Sequence, residues 1–446
     1  MSNDLLLGFY GDDLTGSTDV MESMALGGVP TVLFMSVPDA ELQARFSHCR
    51  AMGLSGTSRS ETPEWMDRHL PSAFAWIKGL GAAICHYKVC STFDSSPAVG
   101  SIGRAIEIGR RLFEQDCVPV VVGAPQLRRY TSFGHLFAGY QGLVYRIDRH
   151  PVMRNHPVTP MDEADLLLHL GKQTRLQSRL VDGPTLRSAD RAAAVDQILG
   201  EKAAILLLDV DSAETQRAAG EELWRLRRPG GLFVAGSSGV EYALMADWVH
   251  SGIAPGTASF EPTPAVERIA SVSGSVSPTT ERQIRHAISN GFDGIAIKAT
   301  DLIGEASQAS FDKAVAAGIA SLQAGRSVIL YTALGSSADL GAEIDKHAGA
   351  RHDLGRSLGR ILNRLVVEQS LSRAIIAGGD TSSHALGQLG VDALTVRMPL
   401  PQSPGSPLCV AHSRAPGIDG LEIALKGGQV GTDAYFLNIR DGVAKR

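Results

Sequence analysis

Three turns toward the C-terminus join glycine to hydroxyl side chains directly after an apolar strand, a combination suited to holding an anion. In Ala374 to Leu386, AIIAGGDTSSHAL, the run Ile375-Ile376-Ala377 breaks at Gly378-Gly379 into Asp380-Thr381-Ser382-Ser383, residue types that start helices. Glycine lets the backbone approach a ligand closely, and the free N–H groups of a helix start lie at the positive end of its dipole. Ile269 to Ser277, IASVSGSVS, repeats the pattern with Ser273-Gly274-Ser275, followed by Pro278 where a first helical turn accepts proline. Leu421 to Thr432, LEIALKGGQVGT, leads into Lys426-Gly427-Gly428 and Gly431-Thr432. A single such turn is also how an ordinary α/β domain changes direction. Three of them, one with a lysine, crowd one edge of a parallel sheet and suggest a polyphosphate site, with a nucleotide as its first ligand.

A second chemistry stands at the other end of the chain. The strand Asp4 to Tyr10 stops at Gly11-Asp12-Asp13-Leu14-Thr15-Gly16, and Ser17-Thr18-Asp19 then caps a helix. Paired aspartates at a strand end can bind sugar hydroxyls, hold a cation or accept a proton; the plainer role is capping the loop. In His86 to Pro97, HYKVCSTFDSSP, Lys88 ends a strand and is followed by hydroxyls and an aspartate, which makes a hydroxyacid pocket or a Ser/Pro-rich helix cap. The loop Ala124 to Thr131, APQLRRYT, offers an arginine for a bidentate carboxylate contact. Asp148 to Pro160 is irregular and proline-rich, as functional segments often are, and its two histidines lack zinc-ligand spacing.

These residues need a scaffold that brings strand ends together. At 446 residues the chain exceeds one growing core, so two domains are expected. Strands are expected at Thr31 to Met35, Ala83 to Val89, Val118 to Val122, Leu143 to Ile147, Ile205 to Val210 and Leu232 to Ala235. Helices such as Pro63 to Lys78, Val99 to Phe113 and Ala213 to Arg227 lie between them. The passage Ala254 to Pro264, with three prolines, reads as a linker, and a fresh alternation follows it. The boundaries are therefore 1–253, a linker at 254–265, and 266–446. The fold class is α/β, each domain a mostly parallel sheet flanked by helices, with the active site expected in the cleft between the domains.

Composition narrows the rest. A net charge of -5 argues against a nucleic-acid binder, and no apolar run reaches membrane-spanning length. The acidic start is unlike a signal peptide, and five cysteines without a CxxC pair point to a reduced, cytoplasmic chain. Oligomeric state is left open, a homo-oligomer included. The P-loop, the dinucleotide GxGxxG turn and the GxSxG elbow are all absent, which disfavours a dehydrogenase. An acidic, hydroxyl-lined half joined to a half with phosphate-friendly turns suits phosphoryl transfer.

GDDLTGSTD resembles the N-terminal signature of the four-carbon acid sugar kinases. The resemblance continues in order through Lys88 with Ser91-Thr92, the arginine and GHL of Arg129 to Leu136, HPVTPM at His156 to Met161, AGSSG at Ala235 to Gly239, SGSVSPTT, AGGDTS and LKGGQVG. It implies an ATP-dependent sugar-acid kinase that uses Mg2+, with the acid on the N-terminal domain and ATP on the C-terminal one. Asp13 with Asp12 would face the reacting hydroxyl, with Asp380 a rival for base or metal duty. Lys88, Ser91, Thr92, Arg129 and His156 would contact the acid. Ser273, Gly274, Ser275, Gly378, Gly379, Asp380, Thr381, Lys426, Gly427, Gly428 and Gly431 would surround the nucleotide, together with Gly405 and Ser406 of PQSPGSPL. The metal ligands are left unassigned.

One departure stands out. Many members of that family carry an aspartate before the Ser-Thr pair and Leu-Arg-Gly after it; here Cys90 replaces the aspartate and the arginine is gone. The expected substrate is therefore a branched or 3-oxo sugar acid such as 3-oxo-isoapionate, with a simple tetronate or threonate as competitor. A sugar-acid-binding or regulatory protein without turnover is the alternative class.

Overall fold

The computed structural model describes residues 5–303, 307–335 and 350–442; Asp4, expected to open the first strand, lies outside the described residues. It has two compact units. The first is the chain as far as Val32 with Ser36–Ala258; the second is Leu33–Met35 with Ser259 onward. No helix among the described residues is long and apolar enough to cross a membrane.

In the first unit the strand Leu7–Gly11 is buried along its whole length. It pairs in parallel with Ala51–Ser55 on one side and Ile84–Lys88 on the other. The sheet continues in parallel through Leu232–Gly236, Val118–Val121 and Ile205–Leu208 to Ser178–Val181. Strands covered on both faces must be apolar throughout, which is why ILLL and VPVV read as uninterrupted runs. The helices start where short polar side chains bind their free N–H groups. Asp13 caps Leu14–Leu26, Thr62 caps Pro63–Gly79, Ser101 caps Ile102–Leu112 and Ser212 caps Ala213–Arg225.

The segment expected as a parallel strand at Leu143 to Ile147 belongs elsewhere. Leu143–Arg146 is the last strand of a separate antiparallel sheet with Arg129–Ser132 and His135–Tyr140. The turns Phe133-Gly134 and Gln141-Gly142 have positive φ at both residues, the geometry of a tight hairpin, so the chain folds straight back on itself. Leu143 and Val144 are consequently exposed. Arg129, read from sequence as a loop residue, opens the first of these strands.

The second unit carries five parallel strands in the order Phe292–Ala296, Ser327–Tyr331, Ala270–Ser273, Arg373–Ala377 and Glu422–Lys426. Leu408–Ser413 joins antiparallel to the last of them and to Val391–Met398, where Leu33 and Phe34 pair with Leu394 and Ala393. Helices Pro278–Ser289 and Tyr435–Asp441 cover one face, packing Ile284, Phe436 and Ile439 on Ile375, Ala377 and Ala424. Helices Ser307–Gln323, Ala350–Glu368 and Gly379–Leu389 pack together on the opposite face. The helix after Ser273 and the helix after Ala377 thus leave adjacent strands toward opposite faces, and the strand ends between them form a crevice of the kind where α/β sheets bind ligands.

Candidate active site

Parallel register places Ser55, Gly11, Lys88 and Gly236 in one row at the carboxyl ends of neighbouring strands. The loops leaving these strands therefore converge on one spot. Asp12 donates its backbone N–H to the Lys88 carbonyl at 2.9 Å. Asp13 uses Oδ1 to cap its helix, accepting from the Gly16 N–H at 2.5 Å, and Oδ2 to accept from Arg59 Nη1 at 2.8 Å.

Arg59 bridges the site. Its Nη2 reaches Asp94 Oδ2 at 3.0 Å, and its backbone N–H donates to the Asp12 carbonyl at 3.1 Å. Asp94 also accepts from the hydroxyls of Thr92 at 2.5 Å and Thr159 at 3.1 Å, and His156 Nδ1 accepts the Thr159 backbone N–H at 3.0 Å. Thus Asp13, Thr92 and the His156 segment, predicted separately, are joined through Arg59 and Asp94. Burial works against ionised Asp94, yet Arg59 and Thr92 hold its carboxyl below the usual range.

Lys88 is almost fully buried. Its Nζ donates to the Val89 carbonyl at 3.1 Å and stands 3.9 Å from Asp19, which is bonded to Ser238. Burial pulls the lysine pKa down, but Asp19, Glu241, Asp12 and Asp13 outweigh it and raise the pKa. Glu241 itself pairs with His86. Asp12 is the opposite case: burial and the neighbouring Asp13 push its carboxyl up to about 8 against the pull of Arg59 and Lys88, and its Oδ1 has no hydrogen-bond partner. A Cβ on Gly16 would lie 2.9 Å from Asp13 Oδ1, 3.1 Å from Lys88 Nζ and 3.8 Å from Asp12 Oδ1. The bare glycine therefore keeps open the point where two carboxyl groups and an ammonium meet.

Ser91 is half-buried in the turn before Thr92. Arg129 spends Nη1 on the carbonyls of Leu127 at 3.0 Å and Arg128 at 3.3 Å, while its buried Nε has no partner. No carboxylate pairs with it among the described residues, and burial lowers its pKa.

In the second unit, register puts Ser273, Ala377 and Lys426 side by side at three strand ends. The three glycine turns meet there. Gly274 donates to the Ala377 carbonyl at 3.1 Å and Gly378 to the Lys426 carbonyl at 2.8 Å. A Cβ on Gly274 would strike Thr381 Oγ1 at 2.3 Å, and one on Gly428 would lie 3.3 Å from Ser275 Oγ, so the turns touch only because side chains are missing. Gly378 has φ of 117°, a conformation that requires glycine, and Gly379 then opens its helix. Gly427 links this cluster to Gly428, whose carbonyl accepts from Thr280 Oγ1 at 3.1 Å. Gly431, with φ of 87°, would place a Cβ 3.0 Å from Ser403 Oγ, so the loop carrying Gly405 and Ser406 borders the same turns. The Asp380 side chain lies outside the described residues.

Lys426 is fully buried, with Nζ donating to Thr280 Oγ1 at 2.9 Å and to the Gly427 carbonyl at 2.9 Å. It has no carboxylate partner among the described residues, and burial pushes its pKa down to about 8. Among the described residues its partners are a hydroxyl and two carbonyl oxygens, none of which carries a charge to balance it.

Sequence reasoning missed Arg59, Asp94, Thr159, Asp19 and Glu241. Arg59 sits in SGTSRS, a segment with no strand period, and the strand before it, Ala51–Ser55, escaped notice as well. Asp94 was visible as the one acid near the Ser-Thr pair, but its partner lies 35 residues away.

Comparison with known proteins agrees with this division. Residues 7–244 match the family model of a sugar-binding N-terminal domain, and residues 270–436 that of a nucleotide-binding C-terminal domain. The chain is 45% identical, over 98% of its length and 94% of the relative's, to a 3-oxo-isoapionate kinase of Paraburkholderia graminis. It is 29% identical, over 96% and 97%, to a 3-oxo-tetronate kinase of Pectobacterium atrosepticum. A crystal structure from Haemophilus influenzae, 22% identical and covering 97% of this chain and 99% of its own, has the same fold at a TM-score of 0.75.

Proposed function

Because this chain belongs to the four-carbon acid sugar kinases, with a sugar-binding domain followed by a nucleotide-binding one, we propose that it phosphorylates a branched 3-oxo sugar acid of the 3-oxo-isoapionate type. That it is a sugar-acid kinase drawing on ATP follows from the family. The narrower choice of acid is supported by the gap between 45% identity to the isoapionate-acting relative and 29% to the tetronate-acting one.

The observation that carries the mechanism is the open point beside Gly16. A terminal hydroxyl bound there is oriented by Asp13, whose position is held from two sides by Gly16 and Arg59. Asp12 takes the proton: its Oδ1 is unpartnered and its pKa, near 8, suits a general base at neutral pH. Lys88 offsets the charge that gathers on the attacking oxygen. Arg129, with no carboxylate of its own, holds the carboxylate of the substrate, and Thr92, Ser91 and His156 line the remaining wall. In the second unit Lys426 and the amides of the three turns take the polyphosphate, a reading supported by a buried ammonium with no carboxylate partner among the described residues.

Mg2+ belongs to this reaction class. Among the described residues no group of three or more His, Cys, Asp or Glu forms a metal cage. A magnesium ion brought with the nucleotide would supply charge neutralisation there.

Purified protein with ATP, Mg2+ and a panel of acids in a coupled ADP assay tests the reading. The highest kcat/KM is expected for 3-oxo-isoapionate, with 3-oxo-tetronates slower. Equal turnover of D-threonate and D-erythronate, with none of the oxo acids consumed, rejects the branched-acid assignment.

A further inference from the structure

Beneath Lys88 lies a buried acid–base pair, His86 and Glu241, to which the proposed reaction gives no part. Side chains alternate along a strand, so His86 and Lys88 of Ile84–Lys88 point to the same face of the sheet. Two helices reach them there. Leu14–Leu26 brings Asp19 to 3.9 Å from the Lys88 ammonium, and Gly239–His250 brings Glu241, in its first turn, onto His86. His86 is 1% exposed and Glu241 not at all.

The hydrogen bonds run from this pair back to the lysine. His86 Nδ1 bonds Glu241 Oε1, and Nε2 donates to the Gly236 carbonyl at 3.1 Å. That carbonyl also accepts the Val89 backbone N–H at 2.8 Å, and the Val89 carbonyl accepts from Lys88 Nζ at 3.1 Å. The imidazole therefore clamps the peptide that anchors the ammonium. Because a carbonyl only accepts, Nε2 carries a hydrogen, and the contact between Nδ1 and Oε1 holds one proton more.

We propose that His86 and Glu241 are positioning residues for Lys88, the first as imidazolium and the second as carboxylate, which keep the ammonium charged and aimed at the open point beside Gly16. The inference rests on reading that point as the seat of the reacting hydroxyl. A carboxylate in the first turn of a helix sits at the positive end of the dipole, and Glu241 Oε2 has no hydrogen-bond partner among the described residues, so the imidazolium and the helix start hold its charge. The acids facing Lys88 are Asp12 and Asp13 from the loop before the first helix, Asp19 on that helix and Glu241 on the second. Burial lowers the lysine pKa, and Asp19 and then Glu241 do most to raise it.

Glu241→Gln keeps the size of the side chain and can donate its amide to Nδ1, but carries no charge. In that variant kcat/KM for the sugar acid should fall about tenfold while the ATP KM holds. The alkaline limb of the kcat/KM profile should also move to lower pH, because Lys88 loses a carboxylate that raises its pKa. A structural role alone lowers Tm and leaves that limb in place. In a Lys88→Met background the same change should have little further effect, since it acts through the lysine. An unmoved limb, or losses that simply add, overturns the inference. The wild-type protein provides a readout that needs no variant: with 15N-labelled histidine, one ring should show both nitrogens protonated at pH 8, where an unpaired imidazole is neutral. Neutral signals from every ring overturn the charge assignment. Unchanged kcat in Lys88→Met sinks the reading of the open point itself, whereas a loss there with no effect of Glu241→Gln sinks this inference alone.

Discussion

The two units solve the problem of holding an anion in opposite ways. The first builds its site from side chains: Arg59 pairs with Asp13 and Asp94, Lys88 stands beside Asp19, and Glu241 pairs with His86, so that Asp12 is the acid of this group whose Oδ1 has no hydrogen-bond partner among the described residues. The second uses backbone at glycine turns around one lysine that has no carboxylate partner among the described residues. A dense ionic network fixes directions, which proton abstraction from one chosen hydroxyl requires. An amide cradle supplies positive potential without charge partners that would repel or compete with a polyphosphate. Among the described residues Arg129 has no carboxylate partner in the first unit, as Lys426 has none in the second.

The largest effect should come from the acid site. Asp13→Asn should lower kcat by roughly 10²–10⁴-fold while changing the ATP KM little, measured by steady-state kinetics with both substrates varied. An unchanged kcat removes Asp13 from the mechanism. Next, Lys426→Met should raise the ATP KM on the order of 10- to 100-fold, the loss of a charged contact worth roughly 1.5–3 kcal/mol. The same lysine predicts a pH effect of definite sign. Phosphate favours its protonated form, so in the wild type ATP affinity should hold below about 8 and decline as pH rises through that value. A flat ATP KM from pH 7 to 9 would contradict the role.

Gly16→Ala sharpens the contrast further, because it alters space in the first unit without altering charge. Its methyl would crowd Asp13 and Lys88, so the KM for the acid should rise about tenfold or more while the fold persists. Circular dichroism alongside kinetics separates this outcome from misfolding. The smallest effect is on stability. Asp12 has its pKa raised on folding, so its contribution is fully present below the unfolded value near 3.8 and is lost as pH rises through about 8. Asp12→Asn should therefore raise Tm at pH 8.5 by roughly 2–4 °C, equivalent to about 1 kcal/mol, with little change at pH 4. The same variant removes the proposed general base, so its kcat should also fall on the order of 10²–10⁴-fold.

How much of this was legible depends on how local each signal is. The glycine turns could be read because one short stretch holds the strand, the break and the helix start, and Gly274, Gly378 and Lys426 all lie where that reading put them. The aspartate pair was legible for the same reason. The hairpin sheet was not: Phe-Gly and Gln-Gly adopt the paired positive-φ turn without the asparagine or aspartate that usually announces it, so Leu143–Arg146 passed for a core strand. Arg59 was invisible because its two carboxylate partners lie 46 and 35 residues away.

The sequence alone determined the chemistry on offer: an alternation of strands and helices with carboxylates at one end and glycine turns at the other, because periodicity, caps and turn residues act over a few neighbouring positions. Only the tertiary structure decided which of those groups are charged, paired or left wanting a partner. Parallel register lines up residues from distant strands, and burial then sets the energetic cost of every charge among them, a cost that no stretch of sequence carries by itself.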